Sequence, residues 1–383
     1  MKIALTLFLL AITTLVYCQK VDTLTFYSEA FQEERTVYVH KPEFDKYRSE
    51  LVKLPVIYLL DGQHEWFINP ILSDIRYLQY AHEIPQALVV VIPHKDRNKE
   101  CIFSDLETEM PLDKFITQEL DQKLVKYNPN EFKVIMGHSF SASFSLYSFY
   151  NHPKYYKHVI AHTPLHQMDL LVERLKDNEV IQKHRISISI GGIAPGKDAF
   201  HRKNYNRLKD QYPELFSEFN LFEANFSTHN AVPISSTPTL LTQVFESFKS
   251  RYHHIAFVDE NYKLTESPES LEQEASKINE ASFIGDSYYT PEIAELNGIA
   301  SRYWNNDYED QATMVFKLGL SYYPNYYDFY LSLYNLTFNH NQSEAKAYLL
   351  KAENLLKTVE SNWDGKAELI LEIEAEKQKN GWN

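Results

Sequence analysis

Three side chains far apart along the chain hold the chemistry this sequence suggests: Ser139, Asp198 and His229. A serine hydroxyl is a weak nucleophile until an imidazole takes its proton, and a carboxylate holds that imidazole in the useful orientation. Residues 132–136 form an apolar run rich in strand formers that stops at Gly137, and Ser139 precedes a segment that reads as a helix over 142–150. Such a sharp strand-to-helix turn lifts the hydroxyl clear of the sheet and aims the first helical N–H groups at the atom under attack. Ser141 stands where the Gly-x-Ser-x-Gly form of this turn has its last glycine. It is small enough to keep the strand–helix crossing close. A Gly-x-Ser tripeptide at an ordinary strand end is the competing reading, so the surroundings must decide.

Two later elements supply partners. Residues 185–190 alternate like a late strand and open through Gly191-Gly192 into a loop bearing Asp198, followed by a polar helix around residues 204–212. Residues 219–225 read as one more strand, and His229 follows it within Ser227-Thr228-His229-Asn230. The order along the chain is therefore serine, acid, histidine, which is that of the α/β-hydrolases and of neither chymotrypsin nor subtilisin. Glu223 competes for the acid role, but it lies inside a strand, whereas hydrolase acids sit on loops beyond a strand's carboxyl end. With 15 histidines in the chain, the combination carries the argument and no single residue does.

Over residues 21–250 the chain resembles the Putative esterase family of α/β-hydrolases, which includes the enterochelin esterases and the esterase D group. The matching stretches are Arg35-Thr36-Val37-Tyr38-Val39-His40, Leu54-Pro55-Val56-Ile57-Tyr58-Leu59-Leu60-Asp61-Gly62-Gln63, Ile135-Met136-Gly137-His138-Ser139 and Thr228-His229-Asn230-Ala231-Val232-Pro233. The resemblance implies that the turn after the Leu-Leu-Asp-Gly strand presents one oxyanion donor, the backbone N–H of Gln63, opposite the N–H of Phe140. Gly62 would then let the backbone approach the substrate. A plain tight turn with Asp61 as a helix cap is compatible with the same residues. The chain departs from the family at Ser139-Phe140-Ser141-Ala142 and at Thr163-Pro164-Leu165-His166-Gln167, so Phe140 and His166 reshape the acyl pocket.

The rest of the chain bounds compartment and partners. A basic start, an apolar run over 3–16 and a processing point near Tyr17-Cys18-Gln19 read as a signal peptide over residues 1–18 and an exported, secreted or periplasmic product. Lipoprotein attachment at Cys18 competes, but Tyr17 is bulky for such a signal. Cys101 would then be alone and could form no internal disulfide. With 52 acidic against 38 basic residues the formal net charge is −14, which argues against nucleic-acid backbone binding. A siderophore-type anionic ester would need a local basic pocket, for example from Lys95, Arg97, Lys197 or Arg202. An acylated carbohydrate-type ester is the other candidate substrate class.

The hydrolase portion covers residues 19–252, and an acidic stretch with Pro268, residues 253–274, reads as a linker. Residues 275–383 are helical in period, and a faint recurrence relates the segments around Ala312 and Ala345, a spacing like that of tetratricopeptide repeats. The tyrosines of residues 322–334 read as packing between helices, with a peptide groove or sugar platform as the alternative. Such a tail leans on the hydrolase, on a second copy or on a protein partner. His162 and His166 lack a helical pairing because Pro164 intervenes, and no phosphate loop or dinucleotide fingerprint is present. No metal and no cofactor is expected. The reading is an α/β-hydrolase fold, a mostly parallel sheet flanked by helices, with a helical repeat-like tail, acting as a serine esterase on small-molecule esters. An inactive scaffold that recruits a partner through its tail, and an acyltransferase using the same triad, are the alternatives.

Overall fold

The computed structural model describes residues 21–179, 181–361 and 363–382, so the expected leader lies outside the described residues. An eight-stranded sheet forms the frame: β1 (Val21–Ser28), β2 (Glu33–His40), β3 (Leu54–Leu59), β4 (Leu88–Val91), β5 (Pro129–His138), β6 (His158–His162), β7 (Ile186–Gly191) and β8 (Asn220–Ala224), in the order β1-β2-β4-β3-β5-β6-β7-β8. The β1–β2 and β2–β4 pairings are antiparallel; from β4 to β8 every pairing is parallel.

Burial explains the composition. Every residue of β3, β4, β6 and β7 is buried, as expected for parallel strands covered by helices on both faces. The Ile-Ser alternation of β7 therefore does not mark a wet face. Its Ser187 and Ser189 hydroxyls meet the rings of His158 and His162 on β6, each at 2.8 Å, so the buried polar groups are satisfied within the sheet.

Four helices matter for the site: α1 (Glu65–Tyr80) after β3, α2 (Phe140–Asn151) after β5, α3 (Ala199–Gln211) after β7 and α4 (Val232–Val244) after β8. One apolar cluster joins α2 to the β1–β2 side of the sheet, and a second packs α1 and α4 on the opposite face. The register aligns the carboxyl ends: His138 pairs with His162, His162 with Ser189, and Gly191 with Ala224. The loops leaving β5, β6, β7 and β8 therefore emerge side by side.

The tail consists of α5 (Leu271–Ala281), α6 (Ile293–Trp304), α7 (Glu309–Tyr322), α8 (Tyr327–Thr337), α9 (Gln342–Thr358) and α10 (Lys366–Lys379). Its first helices share the larger apolar cluster with the sheet, through Ile278, Leu296, Ile299, Tyr303, Phe316 and Phe329 among others. Within residues 253–274, Ile255 is buried, Val258 bridges to Leu264, and α5 already begins at Leu271 behind a Ser270 capping box. The tail tyrosines pack: Tyr323 is fully buried and donates to the Pro291 carbonyl at 2.9 Å, and Tyr326 meets Tyr47 edge-on. Among the described residues no helix is long and apolar enough to cross a membrane.

Candidate active site

Ser139 occupies the turn between β5 and α2 with φ 61° and ψ −116°. A non-glycine residue held there stores backbone strain, which persists only where the surroundings impose it. They do so here. The Ser139 N–H donates to the His162 carbonyl at 2.9 Å, and a Cβ on Gly137 would lie 2.5 Å from the Ser141 carbonyl oxygen. Only glycine lets strand and helix cross this closely. The helix starts at Phe140, two residues before the sequence pattern suggests.

His229 opens a single helical turn, His229–Ala231, between β8 and α4. Its Nδ1 lies 3.0 Å from Asp198 Oδ1 and 3.1 Å from the Thr163 hydroxyl. Thr163 directly follows the β6 residue that receives the Ser139 N–H. On the other side, the His138 ring packs 4.5 Å from the His229 ring, and His138 Nε2 donates to the His229 carbonyl at 3.1 Å. Burial first, then the nearby His229, pushes His138 down to about 3, so it is neutral. His229 is thus held against the residues flanking the elbow, with Nδ1 engaged by Asp198. Among the described residues the Ser139 hydroxyl has no hydrogen-bond partner.

Asp198 sits at the mouth of α3 but does not cap it. Its carboxylate is turned back instead, accepting from the Gly191 N–H at 3.2 Å, from His229, and from His201 at 2.8 Å. Burial opposes its charge, but the bonds from His201 and His229 prevail and hold it at about 2. Glu223 lies elsewhere: its carboxylate binds Arg202, Tyr205 and Lys209. His201 is absent from the sequence-derived set. Its spacing of three residues from Asp198, one helical turn, is the signal that could have found it.

The turn after β3 supplies the remaining geometry. Asp61 takes φ 63°, and Gly62 crosses β4 so closely that a Cβ would stand 2.7 Å from the Pro93 nitrogen. The glycine is therefore required by the neighbouring strand. The Gln63 side chain is pinned by the His94 N–H at 2.8 Å, while the backbone N–H groups of Gln63 and Phe140 have no acceptor among the described residues. The buried Asp61 carboxylate ties this turn to the elbow: it accepts from Ser141 at 2.9 Å and from Arg97 at 2.5 Å, and Arg97 also donates to the His138 carbonyl. Below it, His94 pairs with Glu100 at 2.8 Å, and Glu100 forks onto Arg35 through two bonds of 2.8 Å. Cys101 is a buried free thiol, 3.5 Å from the Ser141 hydroxyl.

The rim is aromatic. Phe140 lies edge-on to His166, whose Nε2 is fixed on the Phe103 carbonyl, and Trp66 packs on His138 and remains about half exposed. The proposed basic pocket is largely spent internally: Arg97 on Asp61, Lys95 on Glu33, and Arg202 on Glu223, Asn225 and the Gly191 carbonyl. Lys197 alone of the four is exposed without an ion pair among the described residues.

Residues 28–203 match the family model described as Putative esterase. No curated protein matches the chain by sequence. Among solved structures, an IroE-like serine hydrolase from Shewanella oneidensis is similar over 77% of this chain and 98% of its own, with TM-score 0.57 and 16% identity. An uncharacterised protein from Capnocytophaga ochracea is similar over 93% of this chain and 100% of its own, with TM-score 0.53 and 13% identity. At such identities the likeness is one of fold, and the second extends it into the helical tail.

Proposed function

From a chain whose residues 28–203 belong to the Putative esterase family of α/β-hydrolases, we propose a carboxylic ester hydrolase that works through an acyl-enzyme on Ser139. The observation that carries this reading is the 3.0 Å contact of His229 Nδ1 with a buried, ionised Asp198, beside a strained serine turn. With Nδ1–H donated to the carboxylate, the lone pair of Nε2 is left for the proton of Ser139.

The steps then follow. Ser139 Oγ bonds to the ester carbonyl carbon as its proton passes to His229 Nε2. The carbonyl oxygen becomes an oxyanion that the free N–H groups of Gln63 and Phe140 receive. The tetrahedral centre collapses, the ester C–O bond breaks, and the departing alcohol takes the proton from the imidazolium. Water, deprotonated by the same imidazole, attacks the acyl-serine and releases the acid. The aromatic rim and the internal pairing of Arg97 and Arg202 favour uncharged acyl groups over polyanionic ones.

Ser139→Ala is expected to abolish hydrolysis of p-nitrophenyl esters with an unchanged far-ultraviolet spectrum; turnover at the parental rate would refute the nucleophile. The leader over residues 1–18 belongs to the same reading. The exported protein should begin at Gln19, which N-terminal mass mapping checks.

A further inference from the structure

We propose that Asp198, His201 and His229 form a binding site for a divalent transition metal, zinc being the best match, and that an ion bound there switches hydrolysis off. A hydrolytic base needs one imidazole on one carboxylate, yet here there are two. The rings of His201 and His229 stack with centroids 4.1 Å apart and an interplanar angle of 20°. Both direct Nδ1 at the same oxygen, Asp198 Oδ1, at 2.8 and 3.0 Å. The three donor atoms lie within 4.8 Å of one another.

The donor set selects the ion. Two imidazoles and a carboxylate suit zinc and its neighbours, whereas magnesium and calcium demand shells of oxygen. Zinc–ligand bonds of about 2.0–2.2 Å in a tetrahedron put neighbouring donors roughly 3.3 Å apart, so the two contacts with the carboxylate, at 2.8 and 3.0 Å, need to open by only a few tenths of an ångström. The site is also reachable and not already neutralised by a guanidinium. His201 and His229 are half-buried, Phe200 beside them is 71% exposed, and the adjacent Arg202 is committed to Glu223, Asn225 and the Gly191 carbonyl. Three protein ligands leave a fourth position for water, as in open zinc sites. The set as a whole is not local in sequence, since its members come from the β7–α3 loop, the first turn of α3 and the β8–α4 turn.

Inhibition follows from proton bookkeeping and rests on the esterase reading, whereas binding does not. A neutral imidazole carries one ring proton. When a metal ion takes Nδ1 of His229, that proton resides on Nε2, and the lone pair required to deprotonate Ser139 is gone.

The test uses the full-length protein, stripped with a chelator and titrated with zinc against a chromophoric competitor. One zinc per chain is expected, unchanged in Ser139→Ala and weakened at least tenfold in His201→Gln, whose folding circular dichroism verifies. No binding, or equal affinity in His201→Gln, would overturn the site. In parallel, zinc should suppress p-nitrophenyl ester turnover reversibly with EDTA, and each variant is compared with its own zinc-free rate. An inhibition constant that does not rise at least tenfold in His201→Gln would overturn the switch. Loss of the esterase reading itself would show separately, as Ser139-independent turnover in zinc-free buffer.

Discussion

Replacing Ser141 by glycine restores the Gly-x-Ser-x-Gly motif, and the structure predicts that this costs stability. The Ser141 hydroxyl is fully buried and donates to the Asp61 carboxylate at 2.9 Å. A hydrogen bond to a charged acceptor contributes about 1.5–3 kcal/mol. Asp61 keeps Arg97 when the hydroxyl is removed, so the carboxylate is not orphaned and the lower half of that range applies. Ser141→Ala recovers up to roughly 0.5 kcal/mol through better helix propensity, whereas glycine loses about as much again, since glycine lies about 1 kcal/mol below alanine. The expected losses are therefore about 1–2 kcal/mol for alanine and about 2–3 kcal/mol for glycine. Urea unfolding followed by fluorescence, read as a shift of midpoint at constant slope, measures both. A Ser141→Gly protein as stable as the parent, or more stable than Ser141→Ala, would show that the tie between elbow and Asp61 turn contributes nothing.

Asp198→Asn should lower kcat by roughly 10³–10⁴, as loss of an orienting carboxylate does, while Glu223→Gln should change it less than about threefold; steady-state kinetics on one ester separates them, and the reverse ranking would transfer the acid role to Glu223. Stability should also depend on pH through the pair beneath the Asp61 turn. Burial opposes the charge of His94, but Cys101, Glu100 and Asp61 raise it from 6.5 to about 10, so its contribution is complete below pH 6.5 and disappears as pH rises toward 10. Burial likewise opposes Glu100, but His94 and Arg35 lower it from 4.5 to about 2, so its contribution is present above pH 4.5 and disappears as pH falls toward 2. Buried His40, His138, His158 and His162 are pushed down to about 4, 3, 3 and 3, chiefly by burial, so each opposes folding as pH falls below 6.5. A thermal-melting profile should therefore peak near pH 6.5 and fall on both sides, and His94→Gln should remove the alkaline slope; persistence of that slope would reject His94 as its source.

Local patterns were readable, and partners brought together by folding were not. The elbow could be recognised because a strand-forming run, a glycine and a helix follow one another within a few residues, each with its own signature. The order of Ser139, Asp198 and His229 placed three loops at one edge of a parallel sheet without further information. By contrast, nothing local to Ser141 points to Asp61, eighty residues earlier, so a motif departure is also a cross-link. His201 escaped because one histidine on a polar helix looks solvated until α3 docks against the turn of His229. The Ile-Ser alternation of β7 marked a strand, and only the β6 histidines reveal how its serines are satisfied with both faces buried. The acidic stretch over 253–274 reads as a linker because its charges are conspicuous, and the burial of Ile255 in the core was not legible from them.

The central claim is that His229 activates Ser139. It is tested most directly by reaction with a fluorophosphonate, with the modified residue located by mass spectrometry. The account predicts a single phosphonylated serine, Ser139, and at least a hundredfold slower labelling in His229→Ala. Labelling at another residue, none at all, or an equal rate without the imidazole would contradict it.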